Sequence, residues 1–206
     1  GQLSKRLTAA RERWVCSLLY YTGIRTSEAI QGMMADFVRG SEGWQLKVKG
    51  KGNKVRRVTV PTELARELLR FRERIGSPGW PSPKDEMPLI PHVRANHAGS
   101  ISDRMLRKLI SDLCKEAADN CLDLHVQAEL SSASPHWFRH TAATHRQESG
   151  ARLESTQKEL GHASLNTTLR YAQLSERARR EDAERFSALV VNQNNPKQES
   201  LKDENS

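Results

Sequence analysis

No stretch of this chain reaches the roughly 20 consecutive apolar residues that a membrane-crossing helix needs, and no signal-peptide pattern is visible. Cysteine is scarce. Cys16, Cys114 and Cys121 form no metal-like pair, and three thiols cannot all pair with one another. That usage fits a reducing compartment, so the cytoplasm is the expected location. Aromatic residues make up only 5% of the chain, with tyrosine at three positions. Acidic residues are outnumbered: 33 Lys and Arg stand against 25 Asp and Glu, for a net charge of +8 at pH 7 and a pI near 9.7. The excess of base points to a polyanionic partner, nucleic acid ahead of an anionic membrane surface.

What remains is enough to fold. The 206 residues are 36% hydrophobic, sufficient for one sizeable domain or two small ones. Leu3, Leu7, Ala10, Trp14, Leu18 and Tyr21 recur at three- and four-residue steps, which predicts an amphipathic helix ending at Gly23. A second helix is predicted from Thr26 or Ser27. Then the period falls to two. Trp44, Leu46 and Val48 alternate with polar residues, "GKGN" makes a turn, and Val55, Val58 and Val60 follow, a β-hairpin with a third short strand near Phe37 and Val38. Pro61 and Thr62 open a third helix, with Leu64, Leu68 and Leu69 inward. Residues 76–88, "GSPGWPSPKDEMP", read as a loop. Ser102 is placed to cap a helix carrying Met105, Leu106, Leu109, Ile110 and Leu113. Cys114 and Cys121 fall on that helix or just past it. Residues 121–134 show little pattern. Ser134, Pro135 and Gly150 then frame a clear helix, and another short one over 153–160 ends at Gly161. Ser164 and Ser175 are placed to cap two further helices, and the chain turns polar after Asn192, as a disordered tail would. The fold expected is mainly α with a small antiparallel β-sheet, in one domain over residues 1–192, with 193–206 as the tail.

Three polar clusters fall in separate segments. "TGIRTSEA" puts Arg25 at a loop-to-helix junction, with Glu28 early in the helix, where a carboxylate suits the dipole. The hairpin "KVKGKGNKVRR" carries Lys47, Lys49, Lys51, Lys54, Arg56 and Arg57 and no acid. The last cluster holds His136, Arg139, His162 and Tyr171. His136 and Arg139, three apart near a helix N-terminus, share a face suited to an anion. Two guanidiniums, from Arg25 and Arg139, suit one phosphate because each offers forked donors. A tyrosine hydroxyl beside such a clamp is a candidate nucleophile toward phosphorus. A lysine on the glycine-flanked turn is placed to serve the leaving oxygen, and the histidines to serve protons or charge on the phosphate oxygens.

Together these segments resemble the catalytic domain of the tyrosine recombinase, or phage integrase, family. "TGIRTSEA" is similar to its first-arginine motif, "KGKGNKVRRVTVP" to its β-hairpin lysine motif, "PHWFRHTAATH" to its His-x-x-Arg motif, and "LGHASLNTTLRYAQLS" to its histidine box and nucleophile. Tyr171 stands nine positions after His162, the family's usual spacing. The resemblance implies that Tyr171 attacks a DNA phosphodiester to form a 3′-phosphotyrosyl bond, freeing a 5′-hydroxyl. Arg25 and Arg139 would bind the scissile phosphate, Lys51 would protonate the 5′-oxygen, His136 would be the general base, and His162 would hydrogen-bond the phosphate. Glu28 would support the site from behind, and Lys47, Lys49, Lys54, Arg56 and Arg57 are candidate DNA contacts. Lys49 and Lys54 lie close enough to Lys51 that its family position, not its spacing, selects it. The resemblance implies no metal and no cofactor. The implied partners are double-stranded DNA and, on DNA, a homotetramer of a chain that is monomeric alone, in a bacterial or mobile-element setting at the nucleoid. It also implies an N-terminal core-binding domain, which is absent from this chain and would precede Gly1.

Two other readings stand beside this one. A type IB topoisomerase-like activity shares the tyrosine chemistry but reseals its own strand. A DNA-binding module that has lost chemistry would be expected to lack at least one member of the set, and none is missing. His136 and His140 have the spacing of a metal-binding helix face, but no carboxylate or cysteine completes a ligand set.

Overall fold

Helix α1 (Gln2–Thr22) is the spine of the domain. The computed structural model describes residues 2–92 and 99–161, and in it the middle of the apolar stripe of α1 is buried: Trp14, Val15 and Leu18 are 0% exposed, while Leu7, Ala10 and Tyr21 are half-buried. The helix stops at Gly23, whose φ of +61° lies in the left-handed region and whose N–H returns to the Leu19 carbonyl at 2.9 Å. Helix α2 (Thr26–Gln31) follows at once.

The sheet is a meander of β1 (Phe37–Gly40), β2 (Gly43–Lys49) and β3 (Val55–Thr59), antiparallel in that order. Phe37 lies opposite Leu46, and Leu46 opposite Val58, so one apolar row crosses all three strands and faces the core. The alternation sends Lys47, Lys49 and Arg57 to solvent. Val55, which resembles a core residue, is 58% exposed. The turn at Lys51–Asn53 is a short 3-10 segment in which Gly52 and Asn53 take positive φ, closed by a Gly50 N–H to Lys54 carbonyl bond of 2.8 Å.

Helix α3 (Thr62–Arg74) packs on α1, with Phe71 stacked on Trp14 at 5.8 Å between ring centroids. The segment after it is a loop, as its prolines and glycines require, but it is tied to the body of the domain. Buried Arg72 donates from Nε to the Gly79 carbonyl at 2.6 Å and from Nη1 to Asp85 at 2.8 Å. The Trp14 indole N–H donates to the Leu89 carbonyl at 2.6 Å. Trp80 stacks flat on Trp44, 3.9 Å apart, and meets Phe37 edge-on. Residues 76–92 therefore form a strap over α3 and the sheet. Trp80→Ala is expected to lower stability by roughly 2 kcal/mol, since a half-buried indole and its stacking partner lose their contact. Urea unfolding checks this, and an unchanged midpoint means the strap carries no weight.

Helix α4 (Asp103–Asp119) begins at Ser102, whose Oγ accepts the Met105 N–H at 3.2 Å. Leu106, Leu109, Ile110 and Cys114 face inward, while Met105 is exposed. The weakly patterned stretch contains a helix after all, α5 (Leu124–Ser131). Asp123 caps it, accepting the His125 and Val126 N–H groups. None of its residues is buried, which is why no apolar period marks it. Helix α6 (Pro135–Glu148) starts at Ser134 and Pro135 as expected, and α7 (Leu153–Leu160) ends on Gly161 with φ +66°. Trp137 packs against the core. The helices expected after Ser164 and Ser175, and the polar tail, lie outside the described residues. Among the described residues no helix is long and apolar enough to cross a membrane.

Candidate active site

Arg25 occupies the junction between the Gly23 break and α2. Its backbone N–H donates to Glu28 Oε2 at 2.7 Å, closing the first turn, and its Nη1 reaches Glu28 Oε1 at 3.1 Å. The side chain is otherwise half in solvent, 45% exposed, with Nη2 at 3.4 Å from the Gly161 carbonyl. Glu28 lies beneath it, its side chain 3% exposed. Burial alone would raise the Glu28 carboxyl. The Arg56 guanidinium bonded to it, the Arg25 N–H and the charges of both arginines outweigh burial and hold it below its ordinary value of 4.5.

Arg139 comes from the first turns of α6 and is 4% exposed. Its Nη1 donates to the Gly23 carbonyl and its Nη2 to the Leu160 carbonyl, both at 2.6 Å. One guanidinium thus ties together the end of α1, the start of α6 and the end of α7. The packing is tight here, since a Cβ on Gly23 would lie 2.4 Å from Leu160 Cδ2. Glycine at that position serves a close approach as well as a turn.

These residues border one open cleft of about 420 Å³, lined by Arg25, Thr26, Ser27, Arg107, His136 and Arg139, with Ile24 and Pro135. His136 is exposed on its rim, its ring set edge-on to that of His140 at 4.5 Å. Arg107 was not anticipated. It stands on α4, bonded through Nε to Asp103 at 2.6 Å. That bond holds the Asp103 carboxyl below its usual range, with a smaller contribution from a Thr26 hydrogen bond. No local motif marks Arg107; only the packing of α4 beside α2 brings it to the cleft. A smaller hollow of about 210 Å³ lies toward the hairpin, lined by Arg25, Ser27, Glu28, Gln31, Lys49 and Gly50. Arg25 borders both.

Of the hairpin cations, Lys47, Lys49, Lys54 and Arg57 are exposed. The Lys51 backbone lies in the turn. Arg56 must be separated from the group. It pairs across the strands with Val48, on the core face, and its side chain is only 13% exposed. Its Nη1 and Nη2 fork onto the two oxygens of Glu28, each at 2.8 Å, and its Nε donates to the Glu159 carbonyl at 2.8 Å. Arg56 is turned inward, away from the surface where its neighbours face solvent. His162 and Tyr171 lie outside the described residues. The described chain reaches Gly161, one residue before His162, and the Leu160 and Gly161 carbonyls are the ones that accept from Arg139 and Arg25.

The sequence and the fold place this arrangement among known proteins. Residues 2–177 match the phage integrase family, and the chain belongs to it. It is 34% identical over 172 residues to the tyrosine recombinase XerC of Bifidobacterium longum (strain DJO10A), covering 82% of this chain and 46% of that protein. It is 35% identical over 166 residues to XerC of Staphylococcus carnosus (strain TM300), covering 80% and 50%. The chain therefore spans about half the length of the curated relatives it matches. Its structure superposes on the XerH site-specific recombinase, solved bound to its difH substrate as a pre-cleavage complex, with a TM-score of 0.59 at 25% identity over 86% of this chain and 47% of that one. The XerA recombinase shares the fold at a TM-score of 0.60, with 96% of this chain and 63% of that one covered.

Proposed function

We propose that this chain is the catalytic domain of a site-specific DNA recombinase that breaks and rejoins strands by transesterification. The observation that carries the proposal is the joining of three distant motifs at one cleft. Arg25 and Arg139 border it with His136, and both arginines are bonded to the carbonyls that immediately precede His162. A phosphodiester in this cleft meets two guanidiniums whose donors match its non-bridging oxygens. Tyr171 attacks phosphorus, its proton leaving to His136. The bond to the 5′-oxygen breaks, and Lys51 supplies the proton that makes that oxygen a hydroxyl. His162 donates to the phosphate. The bond energy is kept in the phosphotyrosine, so the 5′-hydroxyl of a second duplex reverses the step on a new partner. Double-stranded DNA is the substrate, a homotetramer on DNA is the exchanging assembly, and the cytoplasm is the site of action. The exposed cations Lys47, Lys49, Lys54 and Arg57 contact DNA phosphates, which makes binding salt-dependent.

The test is a covalent adduct. The protein is incubated at low salt with a random pool of duplexes whose bridging 5′-oxygens are replaced by sulfur, then denatured in detergent. The thiolate leaves without a general acid and religates poorly, so adducts accumulate. Wild type is expected to give adducts and Tyr171→Phe none. Lys51→Ala is expected to trap this substrate yet fail on ordinary phosphodiesters. Firm DNA occupancy with no wild-type adduct would instead mark a module that binds without chemistry.

A further inference from the structure

Arg56 has no part in the chemistry just described, yet it is among the most constrained side chains near the cleft. All three nitrogens of its guanidinium are committed: two to the oxygens of Glu28 and one to the Glu159 carbonyl. The end of α7 closes over it, with so little room that a Cβ on Gly161 would stand 3.0 Å from Arg56 Cδ and Nε. It thereby links β3, α2 and the end of α7, the segments that carry the hairpin turn, Arg25 and the approach to His162.

The charges explain what this link does. Glu28 is one buried carboxylate touched by two guanidiniums, Arg56 at 2.8 Å through both oxygens and Arg25 at 3.1 Å through one. A forked carboxylate–guanidinium pair is the stronger bond. Arg56 therefore matches the charge of Glu28, and Arg25 is held in place by that carboxylate without being neutralised by it. Without Arg56, the cation left on Glu28 among the described residues is Arg25. The two then form a closed pair, and Arg25 is drawn down from the cleft. We infer that Arg56 is a positioning residue for DNA cleavage: it satisfies Glu28 so that Arg25 keeps its place and its charge for the scissile phosphate. This inference rests on the recombinase reading above.

The experiment uses the full chain and the duplex sequence recovered from wild-type adducts, made in two forms. One carries an ordinary scissile phosphodiester. The other carries a methylphosphonate there, in which a methyl group replaces one non-bridging oxygen. The methylphosphonate has no charge, so a weakened Arg25 matters less to it. Arg56→Met is expected to slow adduct formation on the phosphodiester about 100-fold, the scale for losing one preorganised donor to a transition state, and on the methylphosphonate less than about 10-fold. Arg56→Lys falls between, since an ammonium cannot fork onto both oxygens and also reach Glu159. The ratio of the two rates within one preparation does not depend on how much protein is folded. Equal slowing on both substrates overturns the inference, because it marks a purely structural role. No slowing on either overturns it too. So does rescue confined to a duplex with a sulfur leaving atom, which would place the effect at Lys51. These outcomes leave the recombinase reading intact. A wild type that forms no adduct on any substrate removes that reading, and the inference falls with it.

Discussion

Arg139→Met unfolds at distinctly lower urea concentration than wild type, with a loss of about 3–5 kcal/mol, and its adduct yield on an ordinary phosphodiester falls below detection. Methionine keeps much of the stem's volume, so the loss is assigned to the guanidinium. That group, 4% exposed at the edge of the cleft, holds the buried Gly23 and Leu160 carbonyls, each at 2.6 Å. A buried acceptor stripped of its donor costs about 1–3 kcal/mol, and there are two. The loss is also one of geometry. Gly23 stands two residues before Arg25, so the anchor on its carbonyl fixes where Arg25 emerges. Arg139→Lys separates the parts: a single ammonium is too compact to hold both carbonyls in line. It is expected to recover part of the stability and little of the activity. Unchanged urea midpoints in both variants would show that the carbonyl contacts carry no stability.

The second large effect is at Glu28. Glu28→Gln keeps the size of the side chain and removes the charge that Arg56 and Arg25 share. Breaking a buried ion pair from one side costs roughly 3–5 kcal/mol, because the other charge is left without its counter-ion. The Glu28 carboxyl is held below 4.5 in the folded protein, so its contribution to stability is fully present above that value and is lost as pH falls through the lower, folded value. The gap between wild type and Glu28→Gln is therefore widest at neutral pH and narrows in acid, as wild type takes up the proton that the amide mimics. Urea titrations of both proteins across that range measure the gap. A gap that stays constant with pH would mean that the charge of Glu28 does not stabilise the fold.

The difference between Arg56 and Glu28 shows what was legible in the sequence. Glu28 stood three residues after Arg25 in a recognisable motif, and the structure puts it under Arg25. Arg56 was grouped by composition with its basic neighbours. Parity would have separated it. Val58 and Val60 are buried, and two residues back along the same face is Arg56; Val55, on the opposite face, is in solvent. An arginine in a core row needs a buried partner, and an acid elsewhere in the chain was required to supply one. Which acid it was could not be read, because Glu28 meets Arg56 only through the fold. Helix α5 failed to announce itself for a different reason. Its apolar residues Leu124 and Val126 are exposed, so it has no inward stripe to reveal a helical period; Asp123 as a cap was the one local signal. The strap over Trp44 was likewise hidden. Proline and glycine say where regular structure stops, not whether the chain that follows is fastened, and the fastening comes from Arg72, Trp80 and Asp85.

The bonds that assemble the cleft join residues very far apart along the chain. Arg25 to Gly161 spans 136 positions, Gly23 to Arg139 spans 116, and Arg56 to Glu159 spans 103. Such contacts close long loops and bring their reward only after the loop entropy has been met. A polypeptide is made N-terminal end first. A nascent chain that has already displayed Arg25 and the basic hairpin to the surroundings therefore still lacks the carbonyls that orient its arginines, and stays so until α7 has left the ribosome. The order of synthesis itself keeps an unfinished chain from carrying a finished cleft.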